Sequence, residues 1–261
     1  MLATRSATAK PRPLVSVSIV SHGDGEPLRA LLTSLSMREP ADSIQLIVTD
    51  NLKHDLPDIS PAGWHSVFVL RPARPRGFAA NHNAAFHSAT GTFFCVLNPD
   101  AVFLESVFSA LSHQLDQGEA AIAAPSLVDS QGGLQDSFRR LPSPWELVRR
   151  RLGRAALRPE SVSGAIIRPD WIAGTFMLMR SETFAQLGGF DERYRLYFED
   201  VDLCTRARLM GLSIVVDSGL RLLHDPRRAS RRAGKYLFWH VQSAVRFFTS
   251  DVYRRAKGMK G

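Results

Sequence analysis

The chain has 261 residues, of which 44% are hydrophobic, 9% aromatic and 22% charged, an ordinary globular usage that excludes fibrous repeats and wholesale disorder. Its formal charge of +8 is uneven, because the segment from Arg221 to Gly261 holds 11 of the 33 basic and only 2 of the 25 acidic residues, leaving the rest close to neutral. Two cysteines, Cys95 and Cys204, both in apolar surroundings, exclude a disulfide scaffold and a thiolate zinc site and indicate a reducing compartment.

The N-terminal stretch 1–13 contains Arg5, Lys10 and Arg12 but runs into the alternating Val15-Ser16-Val17-Ser18-Ile19-Val20. It reads as a disordered lead, because a secretory signal would continue into an apolar core. No apolar run approaches the roughly 18 to 20 residues of a transmembrane helix, and a cytoplasmic chain is expected.

The first strand, 14–20, enters the loop Ser21-His22-Gly23-Asp24-Gly25, and Pro27 suits the first turn of a helix. Leu28, Leu31, Leu32 and Leu35 then fall on one helical face. Two further strands are predicted at Ile44–Val48, ending at Asp50-Asn51, and at Ser66–Leu70, ending before Arg71-Pro72. Short β-branched runs alternating with helical patterns predict an α/β fold with a mainly parallel sheet flanked by helices. A helix is expected over Ala79–Ala89, closed by Gly91, and a fourth strand over Thr92–Leu97, stopping at Asn98-Pro99-Asp100. Polar residues therefore collect at the carboxyl ends of successive strands, the edge where open α/β sheets bind ligands.

From 125 to 165, Pro142, Pro144, Pro159 and many arginines interrupt every long pattern, and a partly mobile excursion is expected. Order resumes with a strand over Thr175–Met179 and a short helix capped by Ser181 and ended by Gly188-Gly189. Glu199, Asp200 and Asp202 open a last helix that ends near Gly211.

Asp50 and Asp100 share the ligand-binding edge, a combination that suggests a nucleotide with a metal-bound diphosphate. Pro99 turns the chain so that Asn98 offers a neutral oxygen and Asp100 an anionic one, a pairing that suits Mg²⁺ or Mn²⁺ together with phosphate oxygens. Taken alone, Asn-Pro-Asp is also a common turn. Acids at a helix start answer the positive end of its dipole, yet Tyr197 and Phe198 before Glu199 and Asp200 would shield a carboxylate from water and raise its pKa, as a general base requires.

The order of these pieces resembles the family 2 glycosyltransferases, and within them the rhamnosyltransferase-like branch. The matching elements are strand Val15–Val20, Asp50-Asn51, Arg76-Gly77-Phe78-Ala79-Ala80-Asn81-His82-Asn83, Leu97-Asn98-Pro99-Asp100, Gly174-Thr175-Phe176-Met177, Gly188-Gly189-Phe190-Asp191-Glu192 and Phe198-Glu199-Asp200-Val201-Asp202-Leu203, over about residues 14 to 225. The resemblance implies a GT-A fold, a nucleotide-diphospho-sugar donor, a divalent metal (Mg²⁺ or Mn²⁺) and inversion at the anomeric carbon. Residue by residue it implies that Asp50 contacts the nucleoside, that Asn83 lines the donor pocket with Asn51, Gly77, Phe78 and Asn98, and that Asp100 and His224 bind the metal. Asp200 matches the catalytic base, with Glu199 beside it. Asn98 stands where the first acid of an Asp-x-Asp element is usual, and the loops Ser21–Asp24 and Leu52-Lys53-His54 also depart from the family's pattern.

The implied reaction moves a sugar, best matched by L-rhamnose from a dTDP donor, to a glycan or polyisoprenoid-linked acceptor of the cell surface, with no nucleic acid involved. Two other readings are a sugar nucleotidyltransferase, which normally needs a basic glycine-rich loop after the first strand, and a catalytically inactive sugar- or nucleic-acid-binding relative. Ser21–Glu26 has no basic residue. The chain is thus expected to divide into the lead 1–13, a catalytic domain 14–225 and a basic, aromatic, helical extension 226–261. That extension either packs its aromatics on the catalytic domain or attaches the protein peripherally to an anionic surface on the inner face of the membrane.

Overall fold

All seven residues of the first strand, β1 (Val15–Ser21), are buried, as a strand covered on both faces must be. The computed structural model describes residues 11–54, 56–59, 63–118, 120–151, 164–225 and 234–259. After β1 the order is α1 (Gly25–Arg38), β2 (Ile44–Asp50), β3 (Ser66–Leu70), α2 (Phe78–Phe86), β4 (Phe93–Leu97), β5 (Ala101–Phe103) and α3 (Phe108–Asp116). It continues with β6 (Ala120–Val128), β7 (Phe138–Arg139), α4 (Pro144–Arg151), β8 (Ile166–Ile167), β9 (Trp171–Ile172), β10 (Phe176–Arg180) and α5 (Ser181–Gln186). The last elements are α6 (Glu199–Leu209), β11 (Ser213–His224), α7 (Gly234–Thr249) and α8 (Asp251–Gly258). Residues 1–10 of the expected lead and 226–233 at the start of the expected extension lie outside the described residues.

The main sheet runs β3-β2-β1-β4-β10-β6-β11-β5, with β8 also on β11. Six of its nine strands point one way, while β10, β5 and β8 run against them. The expected α/β architecture with a mostly parallel sheet is therefore present. Leu28, Leu31, Leu32 and Leu35 form the buried face of α1, as their spacing requires.

Three local expectations are corrected. The stretch 125–165 does not begin as an excursion, since Ala120–Val128 is a sheet strand with eight buried positions, and Phe138–Arg139 pairs with Trp171–Ile172. Small alanines lack the β-branched signature, and Pro125 looks like a breaker, yet burial between β10 and β11 outweighs weak local preference. Residues 152–163 lie outside the described residues. Ser181 does not cap α5, because its hydroxyl donates to the Gly91 carbonyl at 2.7 Å. Finally, α2 stops at Phe86, short of Ala89.

Buried polar groups lock the layers together. Ser16 Oγ accepts the N–H groups of Gly91 at 2.8 Å and Thr90 at 3.1 Å. The carboxylate of Glu39, after α1, accepts the N–H groups of Val107 and Phe108 and so satisfies the start of α3 from a distance of 68 residues in sequence. On α2, His82 Nδ1 lies 2.8 Å from Ser18 Oγ, and its ring packs 4.4 Å from Phe78.

Burial, followed by nearby His22, lowers the His82 pKa from 6.5 to about 3. The unfolded ring binds a proton near 6.5 and the folded one only near 3, so acid favours the unfolded chain and stability falls as pH drops below 6.5. His82→Gln keeps a polar partner for Ser18 without the titration. Between pH 6.5 and 5.0 the wild type should lose about 1.5 kcal/mol more than this variant in urea unfolding. Equal losses would mean that His82 does not carry the acid sensitivity.

Candidate active site

A cavity of about 880 Å³ opens where the strands end, within the size range of small-molecule sites. Its lining includes Asn51 after β2, Gly77 and Phe78 at the start of α2, Asn98 and Asp100 after β4, and Glu199 and Asp200 at the start of α6. Distant stretches of sequence meet there because the sheet aligns their strand ends at one edge.

The chain enters α6 through two successive non-glycine residues in the left-handed region, Tyr197 (φ 71°) and Phe198 (φ 68°). Such backbone is costly and gathers at functional sites. Here it turns Glu199 and Asp200 into the cavity at the helix start, where the dipole favours negative charge. The Asp200 carboxylate accepts the N–H of Gly174 at 3.0 Å and that of Val201 at 2.8 Å. Glu199 is buried, and its Oε2 has no hydrogen-bond partner among the described residues.

Burial, and then the neighbouring Asp200 charge, pushes the Glu199 carboxyl well above the usual carboxylate range. Burial raises Asp200 too, against the opposing effect of the backbone N–H groups of Val201, Gly174 and Asp200 itself. Two adjacent carboxylates shielded from water resist double ionisation, and since backbone N–H groups favour the charge on both while the Asp200 charge raises Glu199, Asp200 is the one that keeps the charge. Asp202 is occupied elsewhere: it pairs with Arg206 at 2.7 Å, and Arg206 also donates to the carbonyls of Leu187 and Gly189. That acid secures the Gly188-Gly189 turn.

Asp100 and His224 meet through β5 and β11, whose antiparallel pairing sets His224 opposite Ala101. His224 Nε2 lies 3.4 Å from Asp100 Oδ1. Gln135 fixes the imidazole: its amide nitrogen donates to the His224 carbonyl, and its Oε1 sits 2.9 Å from Nδ1. An amide oxygen only accepts, so Nδ1 must carry the proton. In the neutral ring Nε2 then presents a lone pair towards Asp100 Oδ1, a buried oxygen with no hydrogen-bond partner.

Two electron-rich atoms face to face fit a cation held between carboxylate and imidazole, and the Gln135 contact is the outer support typical of a metal-binding histidine. Among the described residues no group of three or more His, Cys, Asp or Glu side chains converges. The two protein ligands therefore suit an ion whose remaining positions are filled by substrate oxygens and water.

The structure separates the expected donor residues into two groups. Asn51, Gly77, Phe78 and Asn98 line the cavity. Asp50 lies just behind it, 1% exposed, accepting the His54 N–H at 3.0 Å and approaching Arg71 at 3.3 Å. Asn83 does not line the cavity. Its side chain binds the N–H and carbonyl of Phe190 at 2.9 and 2.8 Å and Glu192 at 3.0 Å, so it clamps the 190–192 segment. Sequence reasoning missed Gln135 and the bond from the Gly174 N–H to Asp200, which exist only after folding. It also missed the part of α7, from Lys235 to His240, that lines the same cavity.

The chain is similar in sequence and fold to known proteins. The family profile "Glycosyl transferase family 2" matches residues 16–176. The chain is 28% identical over 253 residues to the rhamnosyltransferase WbbL of Escherichia coli (strain K12), covering 90% of this chain and 92% of that one. It is 27% identical over 260 residues to an N-acetylglucosaminyl-diphospho-decaprenol L-rhamnosyltransferase of Mycobacterium tuberculosis, covering 90% and 83%. Among solved structures, the mannosyltransferase PcManGT from Pyrobaculum calidifontis, in complex with GDP-Man and Mn²⁺, superposes with a TM-score of 0.58 at 16% identity, covering 95% of this chain and 74% of that one. The fold is accordingly GT-A.

Gly77 shows how tightly the walls meet. A Cβ there would lie 3.0 Å from Arg195 Cα and closer still to its carbonyl oxygen, beside the Phe78 N–H bond to that oxygen at 3.1 Å. Both obstacles are backbone, so Gly77→Ala should cost about 1–3 kcal/mol in urea unfolding. A variant as stable as wild type would show that this contact has room to spare.

Proposed function

The chain belongs to glycosyl transferase family 2, and on that premise we propose that it transfers a sugar, L-rhamnose from dTDP-L-rhamnose, with inversion, to a hydroxyl of a glycan or polyisoprenoid-linked acceptor. The identity with two rhamnosyltransferases supports the choice of sugar, and the name of the mycobacterial relative supports a diphosphate-linked lipid acceptor. One observation carries the mechanism: the Asp200 carboxylate, held by two N–H donors, and the Asp100 carboxylate line the same cavity from separate elements, with the His224 imidazole behind Asp100.

Asp200 is the general base. With its oxygens oriented by the Gly174 and Val201 N–H groups, it accepts the proton of the acceptor hydroxyl as that oxygen bonds to the anomeric carbon. The bond from that carbon to the diphosphate breaks on the opposite face. Base catalysis of this kind contributes about 10²- to 10⁴-fold. Glu199, whose carboxyl is raised by burial and by the Asp200 charge, keeps the charge of the pair on its neighbour.

Asp100 and His224 would hold Mg²⁺ or Mn²⁺, which supplies positive charge beside the leaving diphosphate. Asn51, Gly77, Phe78 and Asn98 line the donor space, and Asp50 orders the 51–54 turn behind the nucleoside. The expected boundary near 225 is a matter of packing more than of separate domains, since α7 and α8 share a small core with Tyr194, Phe198 and Val201. No helix among the described residues is long and apolar enough to cross a membrane. A peripheral seat on an anionic surface through the basic tail fits a lipid-linked acceptor.

Asp200→Asn preserves shape and removes the proton acceptor. Turnover should fall at least ~10²-fold with donor affinity retained, and near wild-type turnover would sink the assignment. Asp100→Ala should abolish the Mn²⁺-dependent thermal stabilisation that dTDP-L-rhamnose gives to the wild type. If a panel of nucleotide sugars with Mn²⁺ stabilises wild type and variant alike, Asp100 is not a ligand.

A further inference from the structure

The cavity wall formed by α7 and Arg195 carries charge and ring surface outside the set of residues assigned above to the donor. The Arg195 guanidinium lies 4.9 Å from the centre of the Trp239 ring. Lys235 Nζ lies 5.4 Å from Tyr236 and 5.9 Å from Trp239, and the two rings meet edge to face at 5.4 Å. All four side chains line the cavity, and among the described residues neither cation is paired with a carboxylate. A guanidinium resting its face near a ring keeps its N–H edge open, which is the edge that grips phosphate oxygens.

The next face of the same helix is apolar and uncovered. At 100° per residue, Lys235, Tyr236, Trp239 and His240 fall on one side of α7, and Leu237, Phe238, Val241 and Val245 fall on the side adjoining it. The latter four are 42%, 64%, 52% and 59% exposed. Cations and rings inside the cavity thus border a hydrocarbon-compatible stripe outside it, the complement of a molecule with a sugar, a phosphate and a lipid chain in series.

We propose that α7 and Arg195 form the acceptor subsite. Arg195 and Lys235 hold the acceptor's phosphate oxygens, Trp239 and Tyr236 stack against its sugar, and the stripe from Leu237 to Val245 lies along its hydrocarbon. The proposal rests on the transferase reading and assigns to named residues the recognition of a glycosyl phosphate lipid. Both cations are exposed side chains, so replacing them leaves the packing intact. The backbone contact of Arg195, from the Phe78 N–H to its carbonyl, survives any side-chain change.

Titration calorimetry with farnesyl-diphospho-N-acetylglucosamine below its micellar concentration tests the subsite without turnover. Wild type should bind, and Arg195→Ala/Lys235→Ala should weaken binding at least ~10-fold, the scale of lost charge-assisted contacts. Arg195→Lys/Lys235→Arg should recover most of it. Val241→Gln/Val245→Gln should weaken the lipid probe while leaving inorganic diphosphate unchanged. Three results overturn the proposal: no binding by wild type, equal binding by the double alanine variant, or a loss seen only with anionic vesicles, which would make the cations headgroup contacts. Nucleotide-sugar affinity with Mn²⁺, measured on the same variants, reports separately on the transferase reading, so the two can fail independently.

Discussion

The backbone at Tyr197 and Phe198 is the constraint on which the site depends. Left-handed φ at two consecutive side-chain-bearing residues costs on the order of 1–3 kcal/mol each and persists only if the surroundings enforce it. They do so from α7. Phe198 packs 5.5 Å from Phe247, 5.8 Å from Phe248 and 5.6 Å from His240, and His240 also covers Tyr197 at 5.2 Å. The Ser243 hydroxyl donates to the Leu196 carbonyl at 2.9 Å. The tail therefore holds the turn that aims the two carboxylates.

Two tethers at the sheet edge complete the arrangement. The Gly174 N–H at the entrance to β10 reaches the Asp200 carboxylate, and a side chain at Gly174 would run into the Phe78 ring at 2.8 Å. Glycine at this position lets the strand, the aromatic wall and the base approach one another together. On the other flank, the β5–β11 pairing and Gln135 fix His224 against Asp100. Glu199 and Asp200 thus rest on the start of one helix, and Asp100 and His224 on strand ends. Both are rigid elements, as catalytic geometry demands.

Much of this order was legible in the residues because buried strands write apolar-rich patterns, alternating in β1, interrupted by Gln45 in β2 and continuous in β4. The Leu28–Leu35 spacing specifies α1 for the same reason. Asp100, Glu199 and Asp200 were legible because each sits in a short local pattern that survives folding. The strand Ala120–Val128 was hidden by its alanines and Pro125, and the reversed direction of β10 has no local signature at all. Asn83 was misplaced for a related reason: an asparagine on a helix facing a cavity and one clamping a loop look alike until Phe190 is brought alongside. Gln135, Arg195 and the Gly174 N–H act through His224, Trp239 and Asp200, far away in sequence, so no window of residues contains those pairings.

The buried side chains fall into two groups, a large one built on the sheet and a small one that joins α7 and α8 to Leu141, Tyr194, Phe198 and Val201. On the proposed assignment, the residues that handle the donor rest on the first and the far wall of the cavity on the second. Substitution in the tail would then change which molecule is glycosylated while the sheet keeps the sugar and its leaving group constant. The limit on such change is Phe198, whose ring belongs to the small core and whose backbone directs Asp200 into the cavity. Retargeting the enzyme would require a bulky partner for that ring.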